Sequence, residues 1–599
     1  MLNKNHYRYV LITLSLTFIF LKIYFLVAAK VNFGSFAYPA NAFIYYNTRS
    51  FAEIPQSFHD WNHPGTPIYY LTLVLSNLLL ENLNIDNFLK FVKIHHIFII
   101  FFTLISLNFS VLKLRKYLSP YEIFFSILFI YSFYSFLHTL EIADATNYLF
   151  PMSLLIVTQT IDLLNNHTKL RKKLIIFAFI SSLGISIKMA LLPLVLVSYL
   201  IIIFDNFKNI KEILILNITL FVSFILLNLP IIGRIPRVIY TVLFVRSDTR
   251  FSLDDVFLQK IIELIQLIAF QNLFLIILTL LFFIIFLINL KKIQKFSVNK
   301  NFIYSIFIFM CFVYTLCVAN DEVNTFDKYG KTGFFLRNCY FNSIFIIPLF
   351  IGFLKTKKRY IYSLKIFIYF FTILSFITNI FFYDNFRNQK NVKIIQNKEI
   401  FNIKINDLIP KSSLIGVYED AGYGFENEMI HFVGNSIFAG EKFNKDLIKS
   451  FNNIRFFRLH DFILNNFSNN ELTFSDNLKK SINLNKKRNK DWIKNIVNSF
   501  DNYLKDNLPE NIYLILSHNS HKLTSTFPGQ INRSKSIFIK NENEKVDFMI
   551  FNENNALMRD FNISGTLLIK KLENYLNIKE INEIYIDENK WFIIELENF

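Results

Sequence analysis

The chain has 599 residues, of which 53% are hydrophobic and only 18% are charged. Its mean hydropathy is +0.36, whereas a soluble domain usually carries about 25% charged residues. These values exclude an ordinary soluble protein. Apolar runs long enough for membrane helices recur along the first two thirds of the chain, so we predict a polytopic α-helical membrane protein.

The net charge of +18 belongs to the membrane part of the chain. From Asp384 to the C-terminus there are 29 basic and 28 acidic residues, which leaves 34 basic and 17 acidic residues before it. Because Lys and Arg accumulate in cytoplasmic loops, this excess does not imply a nucleic-acid partner, and we expect none. The cysteines at 311, 317 and 339 lack the spacing of a metal site. The first loop has no Asp-x-Asp pattern, and we predict no metal.

The first predicted helix covers about residues 10–27 and follows a basic, cytoplasmic N-terminus. It lacks a small-residue cleavage site, so it is interpreted as an anchor rather than a signal peptide. An external loop over about residues 29–90 comes next. The apolar run 67–80 within this loop is shorter than the roughly 20 residues that a span needs. Its start at Pro64 and Pro67 suits a helix lying in the outer interface.

Alternation of the remaining helices places all the basic clusters on the cytoplasmic side. These clusters are "KLRK" (113–116), "HTKLRKK" (167–173), "KNIK" (208–211), "KKIQK" (291–295) and "KTKKR" (355–359). The pattern predicts about eleven transmembrane helices. They lie near residues 10–27, 91–111, 121–138, 148–165, 172–189, 191–204, 212–232, 271–290, 301–319, 340–354 and 361–382.

Charged side chains collect on the external side of this topology, at helix ends and in the first loop. Charges at such depth are costly and tend to face a cavity or a partner. Cations there suit a lipid phosphate, and a carboxylate can deprotonate an acceptor hydroxyl or amine. The candidates are Asp60, His63, Glu141, Asp144, Lys188 and Arg337.

The order of motifs resembles that of large membrane glycosyltransferases with the GT-C fold, which use polyprenyl-phosphate sugars. This superfamily includes the protein O-mannosyltransferases and the lipid A aminoarabinose transferases. "NHPGTPIYYL", with His63, Pro64 and Pro67, is similar to their loop motif before an interfacial helix. "GISIKMALLP" and "LRNCYFNSIFIIP" are similar to two later motifs. The first motif carries Lys188, and the second carries Arg337 and Tyr340. The resemblance covers residues 1–382.

The resemblance implies transfer of a sugar from a polyprenyl phosphate to an envelope glycan, lipid or protein on the external face. The implied donor site contains Lys188, Arg337 and Tyr340, with His63 orienting the donor or the loop. The lipid-linked sugar is a substrate, and no further cofactor is expected. The implied location is a bacterial inner membrane, with the N-terminus in the cytoplasm and membrane lipids as partners.

Position 41 departs from the family pattern, because Asn41 stands where these enzymes have an Asp. Asparagine cannot act as a base, so Asn41 is expected to bind substrate instead. Asp60 is our preferred base because it lies three residues from His63 in the same loop, and Glu141 and Asp144 are the alternatives. If none of them serves, the chain is a non-catalytic or flippase-type envelope protein. Internal repeats, which many transporters show, are not visible in the sequence.

Residues 383–599 are predicted to form an external α/β domain. Short β-rich runs such as "SLIGVYE" and "WFIIELE" alternate with helical stretches such as "FNKDLIKSF". His518 and His521 have the proximity of a metal pair, but without further ligands nearby a polar loop after a strand is the favoured interpretation. The domain is expected to bind the acceptor or to act as a scaffold.

Overall fold

The computed structural model shows a helical bundle followed by β-sheets. It describes residues 4–28, 67–68, 85–141, 145–188, 191–206, 209–229, 347 and 359–408, and the nine strands given below. The α-helices are α1 (Lys4–Ala28), α2 (Ile85–Leu114), α3 (Pro120–Tyr131), α4 (Tyr134–Glu141), α5 (Leu149–Asn165), α6 (Leu170–Ile187), α7 (Leu192–Asp205), α8 (Ile210–Leu227) and α9 (Arg359–Leu408). A 3₁₀ helix, Ala145–Tyr148, connects α4 to α5.

Four stretches of these helices are long and apolar enough to cross a membrane. They are Asn5–Phe25, Ile94–Leu114, Ile210–Leu227 and Tyr362–Asn385. Large apolar side chains on α1, α7, α8 and α9 are exposed, including Phe20, Phe204, Phe221 and Phe381. Exposed apolar faces of this kind suit contact with lipid. The described part of the chain is therefore that of a helical membrane protein. The predicted spans between residues 271 and 354 lie outside the described residues, apart from residue 347.

The helix expected over residues 121–138 is two helices, so this prediction is wrong in detail. The chain breaks at Ser132 and Phe133, between α3 and α4. The Ser132 hydroxyl donates to the Phe129 carbonyl at 2.6 Å, and the Asn379 side chain of α9 donates to the Ser132 carbonyl at 2.6 Å. A carbonyl left open by the break is thus satisfied by a distant helix, which makes the break acceptable in an apolar bundle.

The last helix of the bundle, α9, is also longer than the apolar pattern predicts. The apolar run ends near residue 382, but the helix continues to Leu408. No glycine or proline occurs within α9, and Pro410 follows closely. Because the residue before a proline disfavours the helical conformation, helices commonly end just before one. The first residues of the predicted C-terminal domain are therefore helical.

Polar contacts between the helices show which helix ends lie together. Tyr7 of α1 donates to the Leu118 carbonyl before α3 at 2.9 Å, and Lys365 of α9 pairs with Glu122 of α3. At the other ends of their helices, Asn228 after α8 donates to the Ser186 hydroxyl of α6 at 2.6 Å. Thus α1, α3 and α9 begin at one end of the bundle, and α6 and α8 end together.

The strands of the C-terminal region form two sheets. They are β1 (Leu414–Val417), β2 (Phe456–Arg458), β3 (Ile512–Ser517), β4 (His521–Thr526), β5 (Ser536–Asn541), β6 (Glu544–Phe551), β7 (Met558–Ile563), β8 (Ile578–Ile586) and β9 (Asn589–Leu596). One sheet has the order β2-β1-β3-β9-β8 and the other β4-β7-β6-β5. β1 pairs in parallel with β2 and β3, whereas β8, β9 and β3 pair antiparallel.

The β-rich runs "SLIGVYE" and "WFIIELE" overlap β1 and β9, respectively. The helical stretches expected between them lie outside the described residues, so the α/β class of the region and its boundary at residue 383 stay predictions. His521 is the first residue of β4, and His518 lies outside the described residues.

Candidate functional site

Most of the predicted site residues lie outside the described part of the chain. Lys188 is described in full, and Glu141 is described as the last backbone position of α4. The structure adds an unpredicted set of buried polar groups near the end of α4. The residues outside the described ranges are Asn41, Asp60, His63, Asp144, Arg337 and Tyr340.

Lys188 caps the C-terminal end of α6. Its backbone N–H donates to the Gly184 carbonyl at 2.9 Å, and its own carbonyl accepts from the Leu191 N–H at 3.1 Å. The residue is only 4% exposed. Lysine is almost never buried to this degree without a partner, so the bundle holds this cation at a fixed place.

Gly184 explains how α6 comes close enough to its neighbours to fix Lys188. A Cβ at this position would lie 3.3 Å from the Leu191 Cδ1 and Met152 Cε atoms and 3.4 Å from the Ile156 Cδ1 atom. The two shorter distances are tighter than most Cβ contacts in proteins. A side chain at position 184 would therefore require its neighbours to move. The glycine one helical turn before Lys188 therefore lets α6 pack against α5 and the start of α7.

The 3₁₀ helix between α4 and α5 lies at a junction of helices. It contacts α2, α4, α5 and α6. Tyr148, at its end, is buried, and its ring lies 5.9 Å from the His95 ring and 5.6 Å from the Phe102 ring of α2. An aromatic anchor of this size fixes the segment that follows Glu141 and Asp144 in the sequence.

A second buried cation, Lys22 of α1, holds both sides of this segment. Its Nζ atom donates to the Leu140 carbonyl at 2.6 Å and to the Asn147 Oδ1 atom at 3.4 Å. The residue is 0% exposed. Leu140 precedes Glu141 directly, and Asn147 follows Asp144 by three positions. One ammonium group thus connects the two ends of the stretch that carries both predicted carboxylates.

Two buried histidines of α2 complete the polar lining near Lys22. His95 is 1% exposed and His96 is 5% exposed, and the His95 ring lies 5.9 Å from the ring of Tyr148, the residue after the Lys22 contact Asn147. Among the described residues, the His96 Nδ1 and Tyr148 hydroxyl atoms have no hydrogen-bond partner. Buried polar atoms of this kind commonly mark a functional place or a bound water. We call the region of Lys22, His95, His96, Tyr148 and Asn147 the Lys22 cluster.

Lys22 and the two histidines were missed in the sequence. The signal for Lys22 is weak but present, because "LTFIFLKIYFLVA" places one lysine deep within an apolar helix. A charge at such depth is a functional candidate by default. The histidine pair stands in "KIHHIFIIFF", near the start of an apolar run, and no local spacing distinguishes it from core residues.

A different charged cluster lies at the opposite ends of the helices. The Asp162 carboxylate of α5 accepts from Lys113 at 3.1 Å and from Lys173 at 3.2 Å, and from the Tyr117 hydroxyl at 2.8 Å. Gln159 contacts the same two lysines, through the Lys113 ammonium group and the Lys173 carbonyl. We call this set the Asp162 cluster. The basic motifs 113–116 and 167–173 therefore meet at one end of the bundle.

The described residues include no group of three or more His, Cys, Asp or Glu side chains that could hold a metal ion. The Lys22 cluster is cationic and rich in hydrogen-bond donors, which suits an anion or the carboxylates of the 141–144 stretch. In comparisons by sequence, no protein-family model and no curated protein matches this chain.

Proposed function

We propose that this chain is a membrane glycosyltransferase, which transfers a sugar from a polyprenyl phosphate to an envelope glycan, lipid or protein. The reaction takes place where α1, α4 and α6 end and α5 begins. The observation that carries the proposal is a pair of buried lysines: Lys22, which contacts the Leu140 carbonyl at the end of α4, and Lys188, at the end of α6, a helix that contacts the 3₁₀ helix. Buried cations are the residue type that stabilises a leaving phosphate in such a transfer.

In this reaction the acceptor hydroxyl or amine attacks the anomeric carbon of the sugar. The bond between that carbon and the phosphate oxygen breaks, and polyprenyl phosphate leaves with the electron pair. A carboxylate takes the proton of the acceptor. Lys188 and Arg337 stabilise the charge on the leaving phosphate, and Tyr340 is a further candidate for donor binding. Asp60 is the preferred base, with Glu141 and Asp144 as alternatives, and His63 orients the donor.

The resemblance to GT-C enzymes supports this assignment through His63, Lys188 and Arg337. Asn41 weighs against it, because the family has an Asp there. A flippase or another non-catalytic envelope protein is the competing assignment. The two differ in chemistry, since only the enzyme cleaves the bond between sugar and phosphate.

The decisive experiment incubates the purified full chain in lipid nanodiscs with radiolabelled polyprenyl-phosphate sugars and envelope acceptors. We expect label to pass from the lipid to an acceptor with at least one donor of the panel. A parallel assay in proteoliposomes measures movement of the same lipids between leaflets. Leaflet exchange without label transfer would replace the enzyme assignment with the flippase assignment.

The proposed site faces the outside of a bacterial inner membrane, and the C-terminal region lies on the same side. A cysteine placed at Asn470, with the three native cysteines replaced by serine, tests this orientation. We expect an impermeant maleimide to label it in intact spheroplasts. Labelling only after the membrane is opened would place the C-terminal region in the cytoplasm and exclude transfer at the outer face.

A further inference from the structure

The start of α8 lies at the same end of the bundle as the Asp162 cluster. The Ser182 hydroxyl of α6 donates to the Leu220 carbonyl of α8 at 2.8 Å, and the ends of the two helices meet through Ser186 and Asn228. The two helices therefore run in parallel and begin together. Because Lys173 places the start of α6 beside the Asp162 cluster, α8 begins there too.

The exposed apolar faces of α6 and α8 end in exposed cations at this end of the bundle. On α6, Lys172 is followed at helical spacing by the exposed Ile175 and Phe179. On α8, Lys211 is followed by the exposed Leu214 in the same way. Residues three or four positions apart share one face of a helix, so each lysine continues a face that suits contact with lipid.

The same pattern occurs on α1 and at the end of α2. Arg8 and Ile12 of α1 are both exposed and stand four positions apart, and α1 begins beside the turn that follows α2. The exposed Leu112 of α2 is followed by the exposed Arg115 and Lys116 in that turn. Such side chains keep their stems on apolar surface and their charged groups at the interface. We call the following exposed cations the basic rim: Arg8, Arg115, Lys116, Arg171, Lys172 and Lys211.

The acidic side chains described at this end do not neutralise the basic rim. Asp162 contacts its two lysines, Glu122 pairs with a lysine of α9, and Asp205 lies near His167. These three and Glu212 are buried or half-buried. The ion pairs among the described residues include no member of the basic rim. The rim therefore presents an uncompensated positive charge at the edge of the lipid-facing surface.

The opposite end of the bundle has a different distribution of charge. Lys22 and Lys188 are the cations whose side chains the structure describes there, and they are 0% and 4% exposed. Within the described part of the bundle, exposed cations thus border the apolar surface at one end only. A leaflet that contains anionic headgroups complements such a surface, because Lys and Arg near it are attracted to the negative surface potential.

We propose that the basic rim binds the headgroups of anionic phospholipids in the leaflet at this end of the bundle. The apolar faces contact the acyl chains, and the cations contact the phosphate groups at the level of the headgroups. Attraction of one Lys or Arg to an anionic membrane surface corresponds to about a fivefold gain in binding. This inference does not depend on the proposed glycosyltransferase function.

The test measures which lipids remain bound to the purified full chain. The protein is released from nanodiscs that contain equal amounts of phosphatidylglycerol and phosphatidylcholine with identical acyl chains, and native mass spectrometry counts both retained lipids. We expect the parent to retain about fivefold more phosphatidylglycerol. Lys172→Gln and Lys211→Gln should each lower this ratio, and replacement of the whole basic rim by glutamine should bring it close to one. Release at high ionic strength should also lower the ratio in the parent, because salt screens exposed charges.

Two variants are matched controls for charge and for position. Lys172→Arg keeps the charge at the rim and should keep the ratio of the parent. Lys579→Gln removes a lysine of β8 that is 55% exposed, so it changes the net charge by the same amount as Lys172→Gln, and the ratio should not change. A fall in the ratio in Lys579→Gln as large as in Lys172→Gln would mean that net charge, rather than the basic rim, selects the lipid.

Competition with soluble glycerol phosphate distinguishes a lipid from a free phosphate as the ligand. We expect no displacement of phosphatidylglycerol, because glycerol phosphate has no acyl chains to contact the apolar faces. Displacement would overturn the assignment to lipid. Equal retention of both lipids by the parent would overturn the proposal. An unchanged ratio in every folded glutamine variant would do the same, and the single variants replace exposed side chains, so they keep the test available if the combined variant does not fold.

Discussion

The Lys22 cluster and the Asp162 cluster lie at opposite ends of the same helices, and they use lysine differently. In the Asp162 cluster, two lysines share one carboxylate, and their side chains keep 19% and 12% exposure. In the Lys22 cluster, the lysine is fully buried and donates to a backbone carbonyl and an amide oxygen. The first arrangement connects the ends of α2, α5 and α6. The second places a charge where the apolar bundle makes it costly.

We interpret the Asp162 cluster as a structural network and propose a functional role for the Lys22 cluster. Removing a member of the Asp162 cluster should lower stability and leave chemistry unchanged in the folded protein. Removing a cation or carboxylate from the other end should lower activity more than stability. The predictions below test that division, beginning with the largest effect.

Loss of the catalytic base should have the largest effect on activity. A general base contributes about 10²- to 10⁴-fold to the rate. Asp60→Asn preserves the shape of the side chain and should reduce turnover by that factor, with little change in donor binding. Turnover is measured as label transfer at saturating donor.

Glu141→Gln and Asp144→Asn are the matched controls for the base. If Asp60→Asn works at the parent rate and one of these two is inactive, the base is reassigned to the stretch that Lys22 holds. Full activity in all three variants would contradict a carboxylate mechanism.

Asp162→Ala should have the largest effect on stability. It leaves Lys113 and Lys173 without their shared carboxylate, and breaking a buried ion pair costs about 3–5 kcal/mol. The partial exposure of both lysines favours the lower end of this range. Thermal unfolding in detergent should occur several degrees lower, and transfer by the folded fraction should keep its KM for the donor.

Asp205→Ala is the control at the same end of the bundle. Its partner His167 lies 3.8 Å away and is 52% exposed, so the expected loss is below about 1 kcal/mol. An equal loss of stability in Asp162→Ala and Asp205→Ala would mean that burial does not strengthen the ion pairs of the Asp162 cluster. A raised donor KM in Asp162→Ala would contradict its purely structural role.

Removal of a phosphate-binding cation should have an intermediate effect. A charge-assisted contact contributes roughly 1.5–3 kcal/mol, so Arg337→Ala and Lys188→Ala should each weaken donor binding by about ten- to a hundredfold. Arg337→Lys should restore it only in part, because lysine cannot form a bidentate contact. Equilibrium binding of a labelled donor measures this. Parent-like affinity in either Ala variant would remove that residue from the donor site.

The sequence predicted the features that depend on local pattern. Apolar runs located the described helices to within a few residues at most ends. The motif "GISIKMALLP" placed Lys188 at a helix end, which the structure confirms, and its role in donor binding stays a prediction. The break at Ser132 was not predictable, because its carbonyl is satisfied by Asn379, 247 positions away. The end of α9 was misjudged because hydropathy falls near residue 382, whereas nothing interrupts the helix before Pro410.

Lys22 was missed for the same physical reason. The contacts with Leu140 and Asn147 join residues 118 and 125 positions apart. No residue spacing within α1 predicts them. The Asp162 cluster likewise joins α2, α5 and α6 through side chains that are polar but unremarkable in their own segments. Long-range polar contacts decide which buried charges are structural and which are available for function, and a single sequence does not carry that information.

Substitution of Gly184 should have the smallest effect, and it tests whether the exact place of Lys188 matters. In Gly184→Ala the new Cβ meets Leu191 and Met152 at 3.3 Å. The ends of these flexible side chains can shift, and alanine favours the helix by about 1 kcal/mol. Stability should therefore change by less than about 1 kcal/mol, because helix propensity offsets the cost of tighter packing. The displacement of the α6 end should weaken donor binding by about two- to fivefold, which is less than 1 kcal/mol.

Ala178→Val is the control for Gly184→Ala, because Ala178 is also buried on α6 and lies further from Lys188. Overpacking at a buried position typically costs 1–3 kcal/mol, so this variant should unfold at a lower temperature. Its donor affinity should equal that of the parent, since the end of α6 is not displaced. Weakened binding in Ala178→Val, or parent-like binding in Gly184→Ala, would show that stability and site geometry are not separable along α6. Only the charged-residue variants would then distinguish the proposed functional end of the bundle from the structural end.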